Sequence, residues 1–409
     1  MTKKIPEIRF AGFSGEWDKK RIGDGFDIVS GGTPDTSKTK YWSDEGINWF
    51  TPTEVNKRVL DTSIRKISQE GLSKSSAKIL PKDKTVLYTS RATIGLSSLI
   101  SQDSTTNQGF QSIVLKNDNY NIYFVYTLTH KITKKARKLA YGSTFLEISN
   151  KSMKSIIINF PDIEEQEKIG ELFETLDACL EDQAAYVETL KKSKKAFLQK
   201  LFPQKGAKVP ELRFPGFEGD WEEKKLRNIA SFKKGKGYTK NDLSERGNKI
   251  YLYGNLYTNY KSRISRVITF TNKKITNPII SEGNEVLIPS SGETSIEIAR
   301  ASYMEEPGVI LGGDLNIIKP IEEVSPHFLA LDLSNGLNKI ELAKRAQGKT
   351  VVHIGNKDIQ ELTVIMPKKQ EQEKIGAFFK ALDYKIEKEE DKLESFERLK
   401  RALLQKVFV

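Results

Sequence analysis

The sequence predicts an α+β protein with a pseudo-two-fold internal repeat: two similar mixed α and β domains separated by two long helices that pair as an antiparallel coiled coil. Three observations carry this reading. Residues 161–202 (PDIEEQEKIGELFETLDACLEDQAAYVETLKKSKKAFLQKLF) align without a gap on residues 367–408 (PKKQEQEKIGAFFKALDYKIEKEEDKLESFERLKRALLQKVF). Both copies keep one apolar stripe at helical spacing. The entry to each domain repeats as well, PEIRFAGFSGEW from Pro6 to Trp17 and PELRFPGFEGDW from Pro210 to Trp221.

The stripe defines the helices. In the first copy Ile169, Phe173, Leu176, Leu180, Gln183, Val187, Leu190, Lys194, Phe197 and Leu201 follow alternating spacings of four and three. In the second, Ile375, Phe379, Leu382, Ile386, Glu389, Leu393, Phe396, Lys400, Leu403 and Val407 do the same. This is a coiled-coil seam. Its polar interruptions coincide, Gln183 with Glu389 and Lys194 with Lys400, and such residues weaken a seam while excluding wrong registers. At 1.5 Å per residue each helix is a rod of roughly 60 Å. A rod with one apolar stripe needs a partner, and the other copy is the nearest one.

The domain entries are offset by 204 residues, from Trp17 to Trp221, and the helices by 206, from Glu167 to Glu373. The order is therefore a first domain over 1–160, a helix over 161–203, a second domain over 204–366 and a helix over 367–409. Trp17 and Trp221 are expected as core anchors. Within the first domain, residues 84–90, 110–116 and 155–160 read as strands; in the second, 285–290, 308–311, 316–319 and 361–366 are their counterparts. Each domain also carries one basic helix, 121–141 before Gly142 and 325–347 before Gly348, with the glycine as its C-cap. The scaffold is shared while the interiors differ, which suits two unlike reading surfaces.

Composition narrows the function. A chain of 409 residues exceeds one ordinary core. Its 66 Lys and Arg against 54 Asp and Glu leave a formal net charge of +12, which points to a polyanion, first of all nucleic acid. Cys179 is the single cysteine, which excludes disulfide frameworks and cysteine-built metal sites. No stretch suggests a signal peptide or a bilayer span, so a cytoplasmic protein with no membrane partner is expected.

Catalytic motifs are missing. There is no Asn-Pro-Pro-Tyr or Asp-Pro-Pro-Tyr stretch of the amino-methyltransferase kind and no glycine-rich cofactor loop. Gly348-Lys349-Thr350 ends like a phosphate-binding loop, but alanine stands at 343 where the first glycine belongs. His130, His327 and His353 are too scattered for a zinc site or a nucleophile–base pair. Binding candidates are better represented. A flexible basic and aromatic loop is expected at Gly31-Gly32-Thr33-Pro34 with Lys38, Lys40, Tyr41 and Trp42, matched by Lys233, Lys234, Lys236 and Tyr238; such groups suit phosphates. The strand ends carry Ser90, Arg91 and Thr93 in one half and Ser290, Ser291 and Glu293 in the other. An arginine can fork onto guanine and a glutamate can accept from cytosine, while Asn107, Gln108 and Asn255 suit adenine or a turn. The small polar pairs after each glycine, Ser143-Thr144 and Lys349-Thr350, complete the DNA-contact set.

The repeated Pro161 with Glu165-Gln166-Glu167-Lys168-Ile169, and Pro367 with Glu371-Gln372-Glu373-Lys374-Ile375, resemble the specificity subunit of Type I restriction-modification enzymes. Gly-Gly-Thr-Pro followed by Tyr41-Trp42 is similar to the start of that family's target recognition domains, and the resemblance covers essentially the whole chain. It implies a non-catalytic subunit with two target recognition domains, each reading one part of a split sequence on double-stranded DNA. It further implies two modification subunits that hold S-adenosylmethionine and methylate adenine, and restriction subunits that use ATP and Mg. The second domain departs from the pattern, with Gly235-Lys236-Gly237-Tyr238 in place of Gly-Gly-Thr-Pro. Two other classes stand beside this reading: a single-chain DNA methyltransferase or nuclease, and a coiled-coil adaptor without a DNA role.

Overall fold

The computed structural model describes residues 5–91, 93–142, 146–258 and 260–409. It forms two compact units. One comprises residues up to 184 together with 392–409; the other comprises 185–391. The division therefore falls inside both long helices, Ile163–Lys200 and Lys369–Lys406. Each unit thus contains a domain together with part of both helices.

The first unit is built on a five-stranded sheet in the order Phe26–Val29, Ser112–Leu115, Thr85–Tyr88, Ser97–Ile100, Val59–Leu60. A three-stranded sheet of Arg65–Ile67, Trp42–Phe50 and Ser104–Thr106 lies in the same domain, and Asp18–Arg21 pairs antiparallel with Ile157–Phe160. The second unit repeats these three sheets and adds a two-stranded one of Ser291–Gly292 with Val352–His353. Its five-stranded order is Ala230–Lys234, Leu315–Pro320, Glu285–Pro289, Ser302–Met304, Arg263–Ile264. Its three-stranded sheet is Phe270–Thr271, Asn248–Tyr251 and Ile310–Leu311, and Glu222–Lys225 pairs with Thr363–Met366. Divergent sequences thus share one topology, because a half-buried strand asks only for apolar side chains of suitable shape on its core face.

The basic helix of the first unit runs Ile122–Leu139, capped by Asn121, whose Oδ1 accepts from the Phe124 amide at 2.9 Å. Its counterpart is not the single helix over 325–347 that was expected. It is broken into Pro326–Ser334 and Gly336–Arg345. Asn335 leaves the helical region, its side chain donating to the Leu331 carbonyl at 2.7 Å, and Gly336 takes φ +55°. Nor do Gly142 and Gly348 cap these helices. Both helices have already ended, and the chain turns back so that Tyr141 pairs with Glu147 and Gln347 with His353.

The repeated entry segments have a defined task. Arg9 forks onto Glu165 with contacts of 2.8 and 2.7 Å, and Arg213 onto Glu371 with 2.8 and 2.8 Å. Both carboxylates lie in the first turn of a long helix, where the helix dipole also favours them. The glutamine that follows fastens the helix start to its domain. Gln166 donates to the Pro161 carbonyl at 2.9 Å and accepts from Asn121; Gln372 donates to Pro367 at 2.8 Å and accepts from Ser325.

Every seam position is buried or half-buried. Within the first unit Phe173 meets Phe408 at 5.6 Å between ring centroids, and Lys400 pairs with Asp177. Within the second, Phe197 meets Phe378 at 5.1 Å, Lys194 meets Asp383 at 2.5 Å and Lys191 meets Glu390 at 2.8 Å. Rising numbers on one helix meet falling numbers on the other, which is antiparallel pairing. The seam lysines thus have carboxylate partners, and each carboxylate also holds its domain: Asp177 accepts from the Tyr123 hydroxyl at 2.7 Å and Asp383 from Ser262 at 2.9 Å. Gln183 is buried and Glu389 half-buried.

At their ends the helices merge with the domain cores. Ile169, Phe173, Val407 and Phe408 share a cluster with Trp17, Phe124 and Phe160; Leu201, Phe202, Ile375 and Phe379 share one with Trp221 and Phe328. Trp17 and Trp221 are each 2% exposed, as expected of anchors.

Candidate nucleic-acid interface

In the first unit four stretches converge where the strand Thr85–Tyr88 runs out. The Ser90 amide donates to the Gly109 carbonyl at 2.9 Å, and the Ile148 amide donates to Ser90 at 3.0 Å. Arg91 stands opposite Glu147, its Nε 3.4 Å from the carboxylate. Tyr141 and Glu147 exchange both backbone hydrogen bonds, at 3.0 and 2.9 Å. Thr33 donates to Gln108 Oε1 at 2.6 Å, which brings in the Gly-Gly-Thr-Pro segment.

The second unit builds the same edge on the same backbone frame. The Ser290 amide donates to Asp314 at 2.8 Å and the Ile354 amide to Ser290 at 3.1 Å. Ser291 stands opposite His353, and its Oγ lies 3.1 Å from the imidazole Nδ1. Gln347 and His353 exchange backbone bonds at 2.9 and 2.8 Å. Beside this edge Arg300 lies over the Tyr257 ring at 4.7 Å, and the Tyr257 hydroxyl donates to the Ser291 carbonyl at 2.7 Å.

Several expected contacts turn out to build the frame. The Gly-Gly-Thr-Pro stretch is not a flexible loop. Gly32 is buried, its amide donates to Thr106 at 2.8 Å, and its carbonyl accepts from Trp49 Nε1 at 2.7 Å. A Cβ on Gly31 would fall 2.1 Å from the Thr106 carbonyl oxygen, so the strand leaves no room for a side chain. Tyr41 is 7% and Tyr238 5% exposed, the latter clustered with Ile250, Leu252 and Ile310, so neither offers a ring face to a base. Ser90 and Ser290 are buried and contribute backbone, not hydroxyls, to the edge. Asn107 accepts from the Gly109 amide at 2.8 Å and Asn255 from the Leu252 amide at 3.1 Å; both shape turns.

Lys38 and Lys40 lie over the Tyr41 ring at 5.4 and 5.7 Å, and Lys40 is also paired with Glu70. Arg91, Thr93, Gln108, Lys233, Lys234, Lys236, Glu293, Lys349 and Thr350 are exposed, with Thr33 and Ser291 half-buried. Asn356 donates to the Lys233 carbonyl at 2.9 Å, fixing that strand end. Ser143 and Thr144 lie outside the described residues.

The sequence reading missed Glu147 and His353. Each follows the hairpin glycine by five residues, and that equal spacing was the available signal. It also missed Arg65, whose guanidinium stacks over Trp42 at 3.4 Å from the ring centroid, a contact no local pattern announces. Among the described residues no group of His, Cys, Asp or Glu could hold a metal ion, and no helix is long and apolar enough to cross a membrane.

A basic chain that repeats one domain plan, and offers different donors and acceptors on the same strand ends, defines a recognition protein with two reading surfaces. It belongs to the Type I restriction modification DNA specificity domain family, which matches residues 14–191 and again 218–398. The chain is 25% identical to the MjaIX Type I restriction enzyme specificity subunit of Methanocaldococcus jannaschii, covering 96% of this chain and 92% of that one. It is 26% identical to the EcoprrI specificity subunit of Escherichia coli over 56% of this chain and 58% of the relative. The solved S subunit of a Type I restriction-modification system from M. genitalium shares the fold, with a TM-score of 0.62 at 18% identity and 99% coverage of both chains. The chain is a specificity subunit, recognising DNA sequence through two repeated domains.

Proposed function

We propose that this subunit reads a two-part site on double-stranded DNA, one part per domain, and has no catalytic activity of its own. Two modification subunits would supply S-adenosylmethionine and methylate adenine within the site. Restriction subunits would supply ATP- and Mg-dependent cleavage. The long antiparallel helices would act as the spacer that sets the gap between the two parts.

One observation carries this reading: the two units share a strand order and a strand-end frame, yet the exposed side chains on that frame differ. Two copies of one reader would carry like side chains and specify a palindrome. Two unlike readers specify unlike parts. Net positive charge supports phosphate contacts as the sequence-independent share of affinity.

The test is sequencing of methylated sites in cells expressing the subunit with its modification partners. The expected result is one asymmetric sequence of two parts around a fixed unread gap. A continuous or palindromic site overturns the proposal, as does methyl transfer by the purified chain alone.

A further inference from the structure

The two units differ most informatively at a single paired position. In each, the residue after the buried serine stands opposite a residue of the hairpin that follows the basic helix: Arg91 with Glu147, and Ser291 with His353. The flanking ladder is the same, with the Ile148 amide on Ser90 and the Ile354 amide on Ser290. Backbone is held constant and chemistry is changed. We propose that these two pairs are specificity-determining residues, the Arg91–Glu147 pair demanding guanine at one position of its half-site and the Ser291–His353 pair reading the matched position less strictly.

The chemistry follows from what each pair leaves free. The side chains of Arg91 and Glu147 are 58% and 32% exposed. Ion pairs so open to solvent add little stability, so fold maintenance does not account for this one. The carboxylate lies beside Nε, at 3.4 Å, and leaves the two terminal nitrogens as a fork. A fork of two parallel donors matches O6 and N7 of guanine in the major groove and no other base edge. In the second unit the Ser291 hydroxyl engages Nδ1 of His353 at 3.1 Å. The ring is left with one nitrogen, a single donor or acceptor, which cannot enforce a two-point pattern.

This inference rests on the two-part reading, and its test separates the two. The complex with modification subunits is assembled with Arg91→Ala, with the double variant Arg91→Ser and Glu147→His, and with Ser291→Ala and His353→Ala together. Methylated sites are sequenced for each, and folding is checked by circular dichroism. The first two should relax guanine preference at one position of one half-site by roughly ten- to hundredfold, the range of one bidentate contact, leaving the other half-site and the gap alone. The last should alter only the opposite half-site. A uniform fall in methylation over all sequences, or unchanged preferences in folded variants, overturns the assignment. A continuous wild-type site instead sinks the two-part reading, while a change in base preference on replacing Arg91 remains readable.

Discussion

Removing Arg9 tests whether the repeated entry segment is a structural clasp. Glu165 has only 1% of its side chain exposed, Arg9 has 14%, and the two share contacts of 2.8 and 2.7 Å. In Arg9→Ala the carboxylate stays buried without its cation, a situation that costs about 3–5 kcal/mol. An exposed pair of the same geometry would be worth about 0.2–1 kcal/mol, so the burial decides the expectation. Replacing both partners, Arg9→Met with Glu165→Leu, removes the stranded charge and should recover most of the loss. Urea denaturation followed by tryptophan fluorescence gives the stabilities of the two variants relative to the wild type. A shift of under about 0.5 kcal/mol for Arg9→Ala would refute the clasp and place this ion pair with ordinary surface ones. Arg213→Ala should behave alike, because Glu371 is 2% exposed and held by the same fork.

Burial pushes the Asp332 carboxyl up to about 7, against the opposing hydrogen bond from Asn338. The folded state therefore holds a proton that the unfolded chain releases near 3.8, and stability falls as pH rises through that window. Asp332→Asn should gain on the wild type between those limits and level off above them; a pH-independent difference in melting temperature would contradict it. Burial pushes His327 down to about 4, aided by Arg263 and Lys194 and opposed by Asp383 and Glu305. Its ordinary value is 6.5, so stability is lost as pH falls from there, and His327→Leu should lose less over the same range when melting is followed by calorimetry. Deleting one heptad from the middle of each long helix should shorten the gap in the methylated site by about three base pairs, from about 10 Å of rise. Altered half-site sequences with the gap unchanged would show that the helices are not the spacer.

The long helices were legible because a heptad stripe repeats in chain-local spacing that survives any tertiary context. Central strands such as Thr85–Tyr88, Ser112–Leu115 and Glu285–Pro289 were legible as apolar runs, whereas short ones such as Val59–Leu60 and Arg263–Ile264 carry no such run; the helix break falls at Asn335-Gly336, a local turn signal. Other features depend on partners far along the chain. Arg9 was visible only as part of a repeated segment, since its carboxylate lies 156 residues away. Tyr41 and Tyr238 stood among lysines as candidate DNA contacts, and only the folded domain shows that they are buried. The candidate contacts at Arg91 and Ser291 were named from the strand ends, but their opposite numbers, Glu147 and His353, sit beyond a helix and a turn. Pairing across such a distance is set by topology, not by residue type.

Because residues 392–409 complete the first unit, the order of damage along the chain is inverted. Removing residues 392–409 strips Val407 and Phe408 from beside Trp17 and Phe124, and also the Phe408 carbonyl that Lys131 holds at 3.1 Å. A stop at position 392 would damage the reader translated first and leave residues 185–391, the whole of the other unit, in place.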